Sequence, residues 1–162
     1  MAAVETLIAR DDGAVAQREA ARIWARAVTV RDRLAVPADT DEKLPGIARS
    51  VGHPGASLHL ARRGDGAVGF TLLVPAAAAL EVLYLAVDPD AWGSGVSGQL
   101  LAYVDEVART GGADALHLWV IDDNHRALHV YRRAGWVATQ EVRTRDEDGR
   151  VERRFVRRLA SR

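Results

Sequence analysis

Apolar residues recur along this chain at two spacings, one typical of β-strands and the other of amphipathic helices. Short runs of apolar and alternating positions predict strands over residues 4–10, 57–62, 67–74, 81–87, 113–121, 136–145 and 150–159. Apolar positions three or four apart predict helices over residues 16–27, 41–50, 95–110 and 127–134. This order, β-α-α-β-β-β-α-β-α-β-β, predicts one α/β domain over residues 1–162, with a mixed, mostly antiparallel sheet flanked by about four helices.

A short glycine-rich turn joins the fourth predicted strand to the third predicted helix. The strand ends at Asp88-Pro89, and Gly93, Gly95 and Gly98 follow, so main-chain N–H groups can converge where side chains would interfere. The helix N-terminus adds unpaired N–H groups and a partial positive charge, which attract anions. The fourth strand, this helix and the fifth strand should form a parallel β-α-β crossover. The turn therefore predicts a phosphate-binding site.

Two nucleotide-binding motifs with a similar layout do not fit this turn. A dinucleotide fingerprint needs its first glycine directly after the strand, whereas here residues 88–92 intervene. A P-loop ends in Gly-Lys-Ser/Thr, and the turn contains no lysine. We therefore discount the first motif and exclude the second.

The turn resembles the acetyl-CoA site of the GNAT family of N-acetyltransferases, whose signature is Gln/Arg-x-x-Gly-x-Gly/Ala at a strand-to-helix turn. Aligned on that signature, residues 92–97 read Trp-Gly-Ser-Gly-Val-Ser. Gly95 matches, whereas Trp92 stands where Gln or Arg is usual and Ser97 where Gly or Ala is usual. Because the family holds the pyrophosphate mainly through backbone amides, we expect Trp92 to alter coenzyme affinity more than to abolish binding.

A second block of the same family follows the third helix. After a strand, the family has an Asn, an Ala a few residues on, and a Tyr followed by Gly and an aromatic residue. The chain carries Asn124, Ala127, Tyr131, Gly135 and Trp136 in that order. The resemblance therefore covers residues 81–136, and the flanking segments only in the order of their elements.

The resemblance implies a single-domain GNAT-like fold and direct transfer of an acetyl group from acetyl-CoA, as co-substrate, to a primary amine. Such a transfer needs a base for the ammonium proton, a donor for the oxyanion and a proton for the leaving thiolate. By correspondence with the family, Glu81 is the expected base, Tyr131 the expected acid, and the Leu85 N–H the group facing the thioester carbonyl. The residues expected to contact the coenzyme are Leu85, Ala86, Val87, Trp92, Gly93, Ser94, Gly95, Val96, Ser97, Asn124, Ala127 and Tyr131. A small-molecule or peptide amine is the expected acceptor, and a homodimer is a family-level expectation.

Each of these side chains also has a purely structural interpretation. Glu81 could be a solvated residue at the start of a strand, and Tyr131 a core residue on an apolar helix face. Asn124 could be a helix N-cap as well as a coenzyme contact. Trp92 could cover the phosphates or adenine of the coenzyme, or simply pack on the turn.

The histidines suggest two further sites. His125 and His129 lie four residues apart on a predicted helix, the spacing of a two-histidine metal face. No Glu or Cys completes such a site, so we expect a solvated helix face and no metal. His53 and His59 are isolated, although either could serve as an alternative base near neutral pH.

Composition limits the partners, the cysteine chemistry and the cellular location that we expect for this protein. The chain has 22 basic and 22 acidic residues and no cysteine. Zero net charge gives no electrostatic argument for nucleic acid or an anionic membrane, and the missing cysteine excludes disulfides and a cysteinyl intermediate. Acidic residues precede any apolar signal core, and Pro75 and Glu81 interrupt the longest apolar region. We therefore expect a soluble, cytoplasmic protein.

Two other functions stay open at this point. A non-catalytic acyl-CoA-binding or regulatory domain would keep the fold while Trp92 weakens the phosphate site. An O-acyltransferase or a longer-chain acyltransferase would use the same coenzyme site with a different acceptor or donor. Residues 11–60, where the family forms its acceptor site, show no pattern tied to a substrate class.

Overall fold

The computed structural model describes residues 4–160, which form one seven-stranded sheet with four α-helices packed against it. The strands are Leu7–Arg10 (β1), Ser57–Arg63 (β2), Gly66–Ala76 (β3), Ala79–Val87 (β4), Ala115–Ile121 (β5), Val137–Thr144 (β6) and Val151–Arg158 (β7). The helices are Ala14–Arg31 (α1), Thr40–Val51 (α2), Val96–Thr110 (α3) and His125–Arg133 (α4). The predicted order of elements and the α/β class are confirmed.

The sheet is mixed, with the strand order β1-β2-β3-β4-β5-β7-β6. β4 and β5 are parallel, and every other neighbouring pair is antiparallel. α3 connects the two parallel strands, so the predicted β-α-β unit lies in the middle of the sheet. The glycine turn consequently lies at the carboxyl end of a central strand, where open sheets commonly bind ligands.

The helices cover opposite faces of the sheet. α1 and α2 bury Ala20, Ile23 and Ile47 against β2 and β3. α3 and α4 bury Leu101 and Tyr131, among others, against β4, β5 and β7 on the other face. The periodic apolar positions seen in the sequence are therefore the contact stripes of these helices.

The connection between β3 and β4 differs from the prediction. We expected strands ending at residue 74 and starting at residue 81, joined by an alanine-rich segment. Instead Pro75 pairs with Leu80 and Ala76 with Ala79, so the strands form a continuous hairpin. Ala77 takes the tight turn with a left-handed φ of 52°. Alanine in that conformation is uncommon, which explains why composition did not indicate a turn.

Within residues 4–160, no helix combines the length and apolar character needed to cross a lipid bilayer. A cytoplasmic location stays a prediction.

Candidate active site

The site begins where the two parallel strands separate. β4 and β5 are in register only at Ala79 with Ala115, Leu80 with Leu116, and Glu81 with His117. Beyond that point β4 continues along β3, and β5 continues along β7 as far as Ile121. A gap therefore opens between residues 82–87 of β4 and residues 118–121 of β5.

A bulge in β4 sets which main-chain groups face this gap. Leu72 pairs with Tyr84 and Leu73 with Val82, so Leu83 is an extra residue in β4. After the bulge, the Asp88 N–H donates to the Val68 carbonyl of β3 at 2.8 Å.

Main-chain groups alternate in direction along a strand, so those of Leu85 and Val87 point away from β3, into the gap. Those of Ala86 point toward β3, and its side chain packs against the core under α1. Leu85 and Val87 thus present main-chain groups to the gap, whereas Ala86 presents none, and the predicted coenzyme contacts of all three residues stay predictions.

In the glycine turn, the N–H groups of Gly93 and Gly95 have no hydrogen-bond acceptor within residues 4–160, whereas the Ser94 N–H donates to the Ala91 carbonyl at 3.3 Å. Gly93 and Gly95 have φ angles of 76° and 91°, and a Cβ on either would meet no atom within 4 Å. Backbone conformation, and not crowding, therefore requires glycine at both positions. Gly95 is the N-cap of α3 and supplies no side-chain acceptor, so the first helical N–H groups have no side-chain cap.

Three arginines from other elements fix the turn. Arg63, at the end of β2, donates to Ser94 Oγ at 2.9 Å and to the Ser94 carbonyl at 3.0 Å. Arg26 of α1 donates to both carboxylate oxygens of Asp88, and Arg22 also contacts that carboxylate. Burial acts to raise the pKa of Asp88, but the hydrogen bonds from Arg26 and the Asp90 N–H, with the nearby arginine charges, lower it overall. The turn is thus held by residues distant in sequence.

A cavity of about 680 Å³ extends from this turn between α3 and α4. Its volume lies within the range of about 300–1,000 Å³ typical of ligand pockets. Its walls include Gly95, Ser97, Leu101, Val130 and Trp136. Trp136 is 2% exposed, and its indole Nε1 has no hydrogen-bond partner among the described residues.

Trp92 packs on the turn, which is one of its two predicted interpretations. Its Nε1 donates to the Val87 carbonyl at 2.8 Å, and its ring packs against the apolar cluster of Val87, Ala91 and Val96. The guanidinium carbon of Arg126 lies 4.3 Å from the ring centroid. The Trp92 indole thus already uses one lone pair of the Val87 carbonyl, at the end of β4 beside the gap.

Tyr131 lies in α4 on the core side of the gap. Its ring centroid is 5.9 Å from that of Trp136 and 6.4 Å from that of Phe155, and the residue is 8% exposed. Burial raises the pKa of Tyr131 to about 12. Its hydroxyl makes no hydrogen bond with any residue in the part of the chain that the structure describes. Tyr131 is therefore a core residue with a protonated, uncommitted hydroxyl.

Glu81 and His117 lie together on the opposite face of the sheet. Their neighbours Leu80, Val82, Leu116 and Leu118 pack toward α3 and α4, so these two half-buried side chains point the other way. Burial lowers the pKa of His117; the Glu81 charge opposes this effect, and Arg154 adds to it. His117 Nδ1 is buried and, within residues 4–160, has no hydrogen-bond partner.

Sequence reasoning missed His117, because its alternation with apolar residues only placed it on the polar side of β5. The register that brings it beside Glu81 depends on pairing between distant segments. The available signal was a titratable residue in the strand that follows α3.

The other predicted histidine sites do not converge on the gap. His59 is 4% exposed in β2, hydrogen bonded to Tyr103 Oη at 2.8 Å and to Ser57 Oγ at 2.7 Å. It is committed to a buried network and is not an available base. His53, His125 and His129 are exposed. No group of three or more metal-ligating side chains occurs within residues 4–160.

Asn124 caps α4, as one of its two interpretations predicted. Its side-chain oxygen accepts a hydrogen bond from the Ala127 N–H at 3.2 Å. The amide nitrogen of the side chain is left for other partners, so the predicted coenzyme contact of Asn124 and Ala127 stays a prediction.

Comparison with known proteins agrees with this geometry. Residues 18–136 match the family model described as the acetyltransferase (GNAT) family. A mycothiol acetyltransferase from Clavibacter sepedonicus is 42% identical over 82 residues, which are 50% of this chain and 27% of that protein. The chain thus spans about a quarter of the length of the curated relatives it matches.

Solved structures share the fold at low sequence identity. The ribosomal-protein-S18-alanine N-acetyltransferase from Escherichia coli aligns with a TM-score of 0.77 and 17% identity, over 98% of this chain and 96% of that one. An acetyltransferase of the GNAT family from Staphylococcus aureus Mu50 aligns with a TM-score of 0.76 and 16% identity, over 96% of this chain and 100% of that one. With the family model matching most of its length, the chain belongs to the GNAT family of acetyltransferase enzymes.

Proposed function

We propose that this protein transfers an acetyl group directly from acetyl-CoA to an amine of an acceptor, with both substrates bound at once. The observation that carries the proposal is the gap between β4 and β5, which leads to the uncapped amides of the glycine turn. A linear pantetheine arm fits a gap with main-chain partners, and a diphosphate fits a helix N-terminus.

The residues around the gap suit the parts of this co-substrate. Leu85 and the N–H of Val87 would pair with the amides of the arm, and the main chain of residues 93–97 would hold the diphosphate. Trp136 lies in the wall of the adjoining cavity, and its buried Nε1 has no hydrogen-bond partner among the described residues. When bound, acetyl-CoA supplies an acetyl group activated as a thioester.

Glu81 is the proposed base for the acceptor. It lies at the start of the gap, on the face away from α3 and α4, and would remove a proton from the acceptor ammonium directly or through one water. His117 is poorly suited to that role, because an imidazolium there would carry a buried Nδ1–H without a partner. We therefore assign the role of general base to Glu81 and not to the neighbouring His117.

The Leu85 N–H and Tyr131 would act on the acyl group and the sulfur. As the amine nitrogen bonds to the acyl carbon, the Leu85 N–H donates to the oxygen on which negative charge develops. As the carbon–sulfur bond breaks, the Tyr131 hydroxyl donates a hydrogen bond to the departing sulfur, and the second proton of the amine nitrogen passes to water. A thiol has a pKa of about 8.5, which is below the value of about 12 for Tyr131. The thiolate can therefore leave while the phenol keeps its proton.

The acceptor in this proposal is an amine of a small molecule or of a peptide. The similar proteins named above support both kinds, since one is a mycothiol acetyltransferase and another acts on an alanine of a ribosomal protein. A homodimer is kept as a family-level expectation.

The first test is thermal unfolding with and without acetyl-CoA, using NAD and ATP as controls. A ligand at about 100 times its Kd stabilises the folded state by about 2.7 kcal/mol. We expect acetyl-CoA to raise the Tm where NAD and ATP do not, and amine acceptors then to release free thiol. No shift at millimolar acetyl-CoA would contradict the proposal. A shift with no thiol release across an amine panel would favour the non-catalytic acyl-CoA-binding alternative.

A further inference from the structure

The Trp92 indole is a fixed aromatic surface at the start of the glycine turn. Its Nε1 is bonded to the Val87 carbonyl at 2.8 Å, and its ring packs against Ala91 and Val96. Arg126, in the first turn of α4, places its guanidinium 4.3 Å from the centroid of that ring. This is the geometry of a cation–π contact, with a planar cation resting on the best aromatic acceptor.

Apart from its contact with Trp92, the Arg126 side chain has no polar partner within residues 4–160. The residue is exposed and makes no hydrogen bond or ion pair with any residue of the described range 4–160. A guanidinium carries five N–H donors in a planar fork that matches phosphate oxygens. By contrast, Arg63 at the same turn already uses two nitrogens on Ser94. Arg126 is thus a positioned cation whose donors are free.

The geometry points to Arg126 as a phosphate-binding residue for the coenzyme, held beside the glycine turn by Trp92. This inference rests on the proposed function, since the phosphate belongs to acetyl-CoA. The family signature places Gln or Arg at the position of Trp92. Here the turn instead supplies an aromatic surface, and the positive charge arrives from α4. Trp92 directly precedes Gly93, so this contact links Arg126 of α4 to the residue at which the glycine turn begins.

The coenzyme presents the same anionic oxygens in two places, the diphosphate and the 3′-phosphate. Three ligands separate them: acetyl-CoA, its dephospho form without the 3′-phosphate, and acetyl-pantetheine without any phosphate. Calorimetric titration of each ligand gives the Kd values. Arg132→Gln is the matched control, because Arg132 is an exposed arginine of the same helix that lies over Phe155 and not over Trp92.

We expect Arg126→Gln to weaken acetyl-CoA binding about tenfold, the loss of one charge-assisted contact. Acetyl-pantetheine should bind the variant and the wild type equally, and Arg132→Gln should stay within twofold of the wild type for all three ligands. A tenfold loss that persists with the dephospho form assigns the contact to the diphosphate. A loss seen only with the complete coenzyme assigns it to the 3′-phosphate.

A double-mutant cycle tests the role of the indole. Trp92→Phe keeps an aromatic surface, so Arg126→Gln should still weaken binding in that background. Trp92→Leu removes the surface, so Arg126→Gln should then cost less than about threefold. Trp92→Leu also removes the hydrogen bond to the Val87 carbonyl. The Kd of each Arg126→Gln protein is therefore compared only with that of the protein that carries the same residue at position 92.

Three outcomes would overturn the inference. If Arg126→Gln binds acetyl-CoA as tightly as the wild type, Arg126 does not contact a phosphate, and the proposed function is unaffected. If it weakens acetyl-pantetheine equally, the effect is structural. If the wild-type protein binds no acetyl-CoA, the inference and the proposed function both fail.

Discussion

Glu81 and His117 form the last in-register pair between β4 and β5. A carboxylate and an imidazole thus lie side by side where the two strands separate, on the face that α3 and α4 leave free. The pair lies at the narrow end of the gap, where the acetyl end of a bound coenzyme arm would arrive. This relationship gives the first prediction.

Glu81→Gln should remove the proposed base while keeping the size of the side chain. We expect kcat to fall by about 10²–10⁴-fold with little change in the Kd for acetyl-CoA. Steady-state kinetics and coenzyme titration measure the two quantities. The exposed Glu5→Gln is the control and should leave both unchanged. A kcat within threefold of the wild type would assign the base elsewhere.

Tyr131→Phe removes the hydroxyl and keeps the ring, so it tests the catalytic role of Tyr131 without changing its packing. The hydroxyl has no partner among the described residues and the ring stays, so the free energy of unfolding should change by less than about 0.5 kcal/mol. We expect kcat to fall about 10²-fold, the usual effect of losing a donor to developing charge. Tyr103→Phe should behave in the opposite way, because that hydroxyl bonds His59 at 2.8 Å. It should cost about 1 kcal/mol of stability and leave kcat unchanged.

Gly95→Ala tests the left-handed backbone of the turn. A Cβ there meets no neighbour, so the cost arises from the φ of 91° and should be about 1–2 kcal/mol of unfolding free energy. Acetyl-CoA binding should weaken as well, since relaxing the turn moves the amides. Gly112, at the other end of α3, has a φ of 76° and equally open surroundings. Gly112→Ala should lose similar stability with no loss of binding, and a matching loss of binding would disprove a specific role for the turn.

The buried network around His59 predicts a pH dependence of stability. Burial, with a smaller effect of Arg10 and against that of Asp12, lowers the pKa of His59 from 6.5 to about 4. As the pH falls from 6.5 to about 4, His59 takes up a proton in the unfolded chain but not in the folded protein. The contribution of His59 is therefore complete above pH 6.5 and is lost toward pH 4, a change of about 3 kcal/mol.

Urea unfolding between pH 7 and pH 4 measures this loss. His59→Asn should be less stable at pH 7 but should lose less stability on acidification. The exposed His53→Asn should keep the wild-type pH dependence. Equal slopes for the wild type and His59→Asn would show that His59 is not the group that titrates.

Much of the fold could be predicted from the sequence because its elements are locally encoded. The apolar stripes of α1 and α3, and the glycines that start and end α3, lie close together in the chain. The glycine turn was recognisable for the same reason, since Gly93 and Gly95 favour its left-handed backbone by themselves.

The details that shape the candidate site depend on contacts between distant segments. The extra residue Leu83 appears only when β4 is paired with β3. His117 becomes a site residue only through the register of two strands joined by α3. The contact between Arg126 and the ring of Trp92 joins α4 to the glycine turn, two segments that are distant in the sequence. No periodicity or composition carries this information.

The short parallel contact between β4 and β5 has a mechanical consequence. The main-chain pairing that unites the two halves of the sheet is limited to three residue pairs, at Ala79, Leu80 and Glu81 of β4. Along the gap itself, the two halves of the sheet are therefore joined by side-chain packing and not by main-chain pairing. A ligand that bonds to Leu85 and Val87 would act as the missing length of strand and stiffen the molecule along this line.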